Sequence, residues 1–152
     1  MAKSETIARG KVRPAAVAGR FYPGDPVELR DLINVLLGQV PPATGSGPKA
    51  LIVPHAGYLY SGPIAASAYA QLIPARGQVQ RVVLLGPSHY VAVAGLATSS
   101  AEAFATPLGV VPVDIEAVRQ VRTLPQVREL DEAHANEHNT KRRDQHRCPS
   151  SG

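Results

Sequence analysis

The first clear hydrophobic pattern lies between Asp25 and Gly38, where apolar residues recur every three to four positions. This spacing places them on one face of a helix. Asp25 suits an N-cap, Pro26 suits the first helical position and Gly38 suits a C-terminus. We therefore predict a helix over residues 26–38 with one apolar stripe. The positions of the stripe are Val27, Leu29, Leu32, Ile33, Leu36 and Leu37.

Two later segments, residues 50–53 and 81–85, are continuous apolar runs rather than stripes. Such runs are typical of parallel strands that are covered on both faces. Between them, residues 61–63 are predicted to open a helix of small residues over about 64–72. Strand, helix and strand in this order predict a βαβ unit. The fold class is therefore α/β, with a central mixed or parallel sheet flanked by helices.

After residue 90 the sequence pattern predicts shorter strands, turns and helices. Residues 93–98 form a candidate third strand, 104–109 a turn and 110–113 a short extended run. Asp114 is predicted to cap a helix, and helical character is expected to resume around Val127 and Leu130. Near the other end of the chain, residues 15–23 are expected to be extended, with an aromatic anchor.

Composition divides the chain into three parts. Residues 1–14 are polar and basic, which predicts a flexible N-terminal arm. Residues 15–138 form the candidate folded domain. Residues 139–152 contain no aliphatic or aromatic side chain, which predicts a disordered basic tail. The abrupt change near residue 138 leads to the hypothesis of a truncation or frameshift at that point.

The charge and composition exclude several classes of protein. The net charge is +4, but residues 140–152 contribute +3 of it, so the body has no basic footprint for specific nucleic-acid binding. No apolar run approaches the length of a membrane helix, and the N-terminus lacks the apolar core of a signal peptide. Cys148 is the single cysteine, which excludes an intrachain disulfide. We expect a cytoplasmic protein.

Candidate chemistry lies just beyond the two apolar runs. His55 follows the first run by two residues, and His89 follows the second by four. The carboxyl ends of parallel strands border the crevice in which α/β proteins bind ligands. Two imidazoles in one crevice are the start of a metal site. Either histidine alone is also typical of a hydrogen-bonded turn, and this alternative stays open.

Further polar side chains surround these two histidines. Tyr58 and Tyr60 are candidates for positioning a substrate or acting as acids. Ser61 and Ser88 are candidate binding residues, but neither lies in the Gly-x-Ser-x-Gly context of a nucleophile, and Ser61 is better interpreted as a helix cap. A helix N-terminus at Ser61 would favour an anionic ligand. We expect a small molecule or a peptide in the crevice.

Several motifs resemble those of one family. Residues 54–62 (PHAGYLYSG) and 86–89 (GPSH) closely resemble the MEMO family, which includes the AmmeMemoRadiSam system protein B proteins. The segments 18–23 (AGRFYP) and 106–109 (TPLG) and the pair Glu137-His138 also match family positions. The resemblance covers about residues 15–138. It implies part of a fold similar to class III extradiol dioxygenases.

The resemblance also implies a cofactor. Class III extradiol dioxygenases use non-haem iron(II), with copper and zinc as alternatives here. The metal ligands of MEMO proteins are two histidines and a cysteine, and the histidines correspond by motif to His55 and His89. The cysteine belongs to a C-terminal half that this chain is expected to lack, since the surroundings of Cys148 do not match. By the same resemblance Glu137 and His138 are expected to border the crevice, and a solvated polar turn at these residues is the alternative that stays open.

A second motif predicts different chemistry. His134-x-x-Glu137-His138 matches the pattern of one zinc-peptidase class, in which the glutamate is the base. Its flanks lack an amphipathic helix pattern, so this zinc hydrolase is the weaker hypothesis. The leading hypothesis is a metal site with redox or dioxygenase-like chemistry. The alternatives are a binding or scaffold protein that uses the same crevice, and a chain that is inactive because two histidines leave the site open.

Overall fold

The computed structural model describes residues 10–43 and 47–135. Helices and short strands alternate irregularly, and the fold class is α/β, as predicted. In chain order the elements are β1 (Val12–Arg13), α1 (Pro26–Gly38), α2 (Tyr58–Tyr69), a 3-10 helix (Ala70–Ala75), β2 (Leu96–Thr98), β3 (Ala103–Thr106), β4 (Gly109–Pro112), α3 (Ile115–Val121), β5 (Val127–Glu129) and α4 (Asp131–Ala135).

The two capped helices agree with the sequence prediction. The Asp25 carboxylate accepts hydrogen bonds from the backbone N–H groups of Val27 and Glu28, at 2.8 and 3.0 Å. Helix α1 ends at Gly38, as expected. In α3 the Asp114 carboxylate accepts from the N–H of Ala117 at 3.0 Å. These caps satisfy N–H groups that have no partner within the first helical turn.

The strands form two small sheets. In the first, β3 lies between β1, which is parallel to it, and β4, which is antiparallel. In the second, β2 and β5 are parallel, with Leu96 opposite Val127. The core is built mainly from small side chains. Its buried apolar residues are Val17, Leu29, Ala66, Ala70, Ala101, Ala103, Val127 and Ala133.

The prediction of buried strands at residues 50–53 and 81–85 is wrong for this structure. Both runs lack strand pairing, and Ile52, Val83 and Leu84 are exposed. A strand forms only when another strand supplies hydrogen bonds along its edge. Within residues 10–43 and 47–135, no strand lies beside either run. The predicted βαβ unit is therefore not formed, and the sheets are built from other segments.

Helix α2 begins earlier than predicted. Its first residue is Tyr58, its N-cap is Gly57, and Pro63 lies inside the helix. Ser61 is thus a buried residue of the helix and not its cap. The extended backbone of Gly57, with φ −57° and ψ 149°, already provides the cap conformation four residues upstream of Ser61.

Other differences arise from pairing between distant segments. Residues 127–129 form β5 and not a helix, because β2 pairs with them. Residues 12–13 of the expected N-terminal arm form β1, and residues 104–106 of the expected turn belong to β3. The predicted strand over 93–98 is reduced to β2, whereas the extended run around residue 110 is confirmed as β4.

Some expectations fall outside the described residues. These are the roles of Glu137, His138 and Cys148 and the disordered tail at 139–152. Among the helices in the described ranges, none has both the length and the apolar character needed to cross a membrane.

Candidate metal site

Two loops bring His55 and His89 into contact. His55 lies just before α2, and His89 lies in the loop that follows the second apolar run. Their Nε2 atoms are 3.3 Å apart, and their ring centroids are 5.2 Å apart with the planes inclined at 48°. The Nε2 atoms of the two imidazoles therefore lie close to one common point.

The distance between the two Nε2 atoms fits two ligands of one metal ion. Imidazole nitrogens bind zinc at about 2.0–2.1 Å, so two of them at a tetrahedral ion lie about 3.3 Å apart. The same distance also fits a long hydrogen bond between two neutral imidazoles, one of which donates. Among the described residues, no group of three or more His, Cys, Asp and Glu side chains could hold a metal. The pair thus supplies two ligands of a potential centre.

Ser61 shapes the loop that carries His55. Its hydroxyl donates to the carbonyl oxygen of Ala56 at 2.7 Å and lies 3.3 Å from that of Gly57. The side chain of Ser61 is 6% exposed, so these bonds are shielded from water. The loop immediately after His55 is therefore fastened to the first turn of α2. Ser61 holds the loop in place and has no hydroxyl proton left for a ligand.

Tyr58 links α2 to the turn at residues 18–22. Its N–H donates to the carbonyl oxygen of Phe21 at 2.7 Å, and its ring lies 5.5 Å from that of Tyr22. Gly57 lies against this turn, since a Cβ atom there would be 3.4 Å from the Phe21 oxygen. The turn replaces the extended segment expected at residues 15–23, because Gly19 adopts a φ of +76°.

The environment of Tyr58 disfavours ionisation of its hydroxyl. Burial raises the pKa of Tyr58, and the neighbouring Tyr22 and Tyr69 raise it further. The phenol is thus a hydrogen-bond donor at neutral pH. Tyr60, two residues later, is 79% exposed. The two tyrosines thus differ in environment, although the sequence gives them the same candidate role.

On the other loop, Ser88 is a turn residue. Its hydroxyl donates to the carbonyl oxygen of Val91 at 2.7 Å. This bond closes the loop around His89, whose ring centroid lies 6.3 Å from that of Tyr90. Ser88 therefore supports the position of His89.

His134 lies apart from the histidine pair. Its Nε2 atom is 3.2 Å from the carbonyl oxygen of Ala97, and its own carbonyl oxygen accepts a hydrogen bond from Arg13 at 2.7 Å. A carbonyl oxygen can only accept, so in this contact Nε2 carries the proton and Nδ1 is the ring nitrogen with a free lone pair. Glu137 and His138 lie outside the described residues, so the zinc-peptidase hypothesis stays a prediction.

A polar cluster around Asp131 was not anticipated from the sequence. Its carboxylate accepts hydrogen bonds from the Lys11 ammonium at 2.6 Å and from the backbone N–H of Ser100 at 2.8 Å. The hydroxyls of Ser99 and Ser100 also donate to it. These donors, Lys11 first, hold the pKa of Asp131 well below its usual range. The cluster fastens the residue before β1 and the two residues after β2 to α4, and no local motif marks it.

Comparison with known proteins shows to which family this chain belongs. Residues 13–141 match the model of a family described as Memo-like protein. The chain belongs to the MEMO family. The resemblance drawn from residues 54–62 and 86–89 is thereby confirmed.

Over the aligned segments, curated MEMO relatives are about two-fifths identical to this chain. A MEMO1 family protein of Aquifex aeolicus is 41% identical over 129 residues, which are 84% of this chain and 46% of the relative. Another from Methanopyrus kandleri is 42% identical over 136 residues, covering 83% and 47%. A third, from Ignicoccus hospitalis, is 41% identical over 137 residues, covering 84% and 48%. The chain therefore spans about half the length of the MEMO relatives it matches.

Proposed function

We propose that this MEMO-family chain contributes His55 and His89 as ligands to a non-haem metal centre. The observation that carries the proposal is the 3.3 Å separation of their Nε2 atoms. Imidazole is a suitable ligand for iron, copper and zinc, so the donor type fits the metals expected from the family resemblance. Two protein ligands leave positions on the ion for further ligands and for substrate.

Iron(II) in this centre would supply redox chemistry of the dioxygenase-like kind. The residues of this chain would orient a ligand beside it. Tyr58 presents a protonated, half-buried hydroxyl group, and Tyr60 presents an exposed one on the first turn of α2. The N-terminus of α2, three residues after His55, favours a negatively charged group. The proposed ligand is a small molecule or a peptide with an anionic group.

Metal binding is tested by titrating the chain with Co²⁺, Zn²⁺ and Fe²⁺ under anaerobic conditions. We expect about one ion per chain, and His55→Ala or His89→Ala should weaken binding about tenfold or more. His134→Ala is the matched control, because its Nε2 already contacts a carbonyl oxygen. Equal affinity of both variants and the original chain would exclude the proposed ligands. Loss of binding in His134→Ala alone would favour the zinc-peptidase motif instead.

Oxygen consumption separates redox chemistry from a binding or scaffold role. The iron-loaded chain is mixed with catechol-type substrates and followed with an oxygen electrode. A redox function predicts consumption that requires both histidines. Metal binding without oxygen consumption favours a binding role, or a centre that this chain alone does not complete.

A further inference from the structure

The histidine pair lies at the surface and supplies only part of the coordination shell of an ion. His55 and His89 are both exposed. Among the residues that the structure describes, no third His, Cys, Asp or Glu joins them in a group that could hold a metal. Structural zinc sites almost always have four protein ligands in a tetrahedron. The pair therefore fills two of the four positions, and two further ligands must come from elsewhere.

The spacing of the pair matches one edge of such a tetrahedron. With zinc–nitrogen distances of about 2.0–2.1 Å, the 3.3 Å separation of the Nε2 atoms corresponds to an N–Zn–N angle of about 107°. All edges of a regular tetrahedron are equal, so the opposite edge requires two more nitrogens at the same spacing. A second copy of this chain carries such a pair, already held at that spacing. A two-fold axis through the ion brings one pair onto the other, as in a symmetric dimer.

The segments around the pair are suited to contact with a second copy. Residues 50–75 and 86–94 contain no Asp, Glu, Lys or Arg, so no like charges from them oppose its approach. An exposed tyrosine follows each histidine, Tyr60 at 79% and Tyr90 at 53% exposure. The centres of protein interfaces are rich in tyrosine and poor in charge. Of the net charge of +4, residues 140–152 contribute +3, so the remaining +1 causes little repulsion between two bodies.

We infer that one zinc ion joins two copies of this chain, with His55 and His89 of each copy as its four ligands. The inference rests on the proposed metal centre and names the source of the other two ligands. Four imidazoles complete the shell of a tetrahedral ion and leave no position for a substrate. The bridged dimer is therefore a closed form of the centre, whereas the single chain with an ion of its own is the open form.

The ratio of zinc to chain decides which form is present. At half an equivalent of zinc, two histidine pairs share each ion. In excess zinc each pair binds an ion of its own, so mass action separates the two copies. We therefore expect dimers to be most abundant near half an equivalent of zinc and to decline at lower and higher ratios. The end point in excess zinc is still about one ion per chain.

The test is analytical ultracentrifugation of the full 152-residue chain during a titration with Zn²⁺, with the bound zinc measured by calorimetry on the same samples. We expect the mass to rise from the 16.0 kDa of one chain to about twice that value at half an equivalent. The mass should return to that of one chain in excess zinc and after addition of EDTA. Nonspecific aggregation by zinc would instead grow steadily with the metal concentration and would contradict the inference.

Substitutions show which side chains bridge the copies. His55→Ala leaves one proposed ligand per copy and should lower the dimer fraction at half an equivalent at least tenfold. His134→Ala is the matched control and should dimerise as the original chain does, since His134 lies apart from the pair. Dimers that persist in EDTA or in His55→Ala, or that are lost in His134→Ala alone, would overturn the inference.

The two proposals fail in different ways. A chain that binds zinc through His55 and His89 but stays single at every ratio overturns the bridged dimer and leaves the proposed metal centre standing. Ligands from the same chain would give this result, with one ion per chain from the start of the titration. A chain that binds no zinc at all overturns both proposals.

Discussion

His55 Nε2 lies 3.3 Å from His89 Nε2, although 34 residues separate the two side chains in sequence. Each histidine lies on a loop that is closed by a serine. Ser61 donates to the Ala56 carbonyl on one side, and Ser88 donates to the Val91 carbonyl on the other. Local hydrogen bonds thus shape each loop, while the imidazole contact joins the two.

Metal addition should stiffen both histidine loops together. An ion bound by two imidazoles crosslinks the segments that carry them, so local opening of either becomes less favourable. We expect amide exchange at residues 55–57 and 88–90 to slow with added Zn²⁺ and to recover with EDTA. His89→Ala should abolish the effect in both loops. Slowing at only one loop would show that the two histidines do not share an ion.

Removal of the Tyr58 hydroxyl should reduce the loss of stability at alkaline pH. The folded chain raises the pKa of Tyr58 above that of an unfolded tyrosine, which is about 10. The unfolded chain therefore ionises first, and stability is fully present below about pH 10 and falls as the pH rises through the folded value. Tyr58→Phe should therefore lose less stability than the original chain as the pH rises above about 10. Urea unfolding measures this, with the exposed Tyr60→Phe as control.

Asp131→Asn should weaken the link of α4 to the residues that border β1 and β2. Both side chains of the ion pair are partly exposed, Lys11 at 62% and Asp131 at 37%, so its loss should cost only about 0.5–1 kcal/mol of unfolding free energy at pH 7. The pKa of Asp131 is depressed in the folded chain, so its contribution is present above the unfolded value of about 3.9 and is lost as the pH falls further. The difference between Asp131→Asn and the original chain should therefore shrink below about pH 4.

The control for Asp131 is Glu132→Gln, which removes the next carboxylate of α4 at an exposed position. It should change stability by less than about 0.5 kcal/mol. Thermal or urea unfolding at pH 7 and at low pH provides the measurement. A constant difference between Asp131→Asn and the original chain across this range would contradict the ionic role of Asp131.

Gly95→Ala should be strongly destabilising. Gly95 has a φ of +98°, and a Cβ atom there would lie 2.2 Å from the Gln126 carbonyl oxygen, which accepts the N–H of Leu96. The clash falls where β2 and β5 begin to pair. Gly77→Ala isolates the cost of positive φ alone, since Gly77 has a φ of +81° with open space around it.

Urea unfolding should separate these two glycine variants. We expect about 1 kcal/mol for Gly77→Ala and at least about 2 kcal/mol more for Gly95→Ala. Equal effects would show that Gln126 moves away from the added methyl group without cost.

The local elements of this protein follow from neighbouring residues. Helix α1 was predictable because its N-cap, its first proline and its apolar stripe all lie within 14 residues. Helix α3 was predictable for the same reason, with Asp114 as its cap. Family membership was also readable from short motifs around His55 and His89. In each case the physical information lies within a few turns of chain.

Contacts between distant segments decided the other strands and the long-range polar contacts. Residues 127–129 form a strand because β2 lies beside them, and Asp131 binds Lys11 across 120 residues of chain. No local pattern encodes these partners. Conversely, residues 82–85 have the composition of a buried strand, yet remain exposed because no strand lies alongside them in the described chain. Composition expresses a preference for burial and pairing, whereas only tertiary structure supplies the hydrogen-bonding edge that satisfies it.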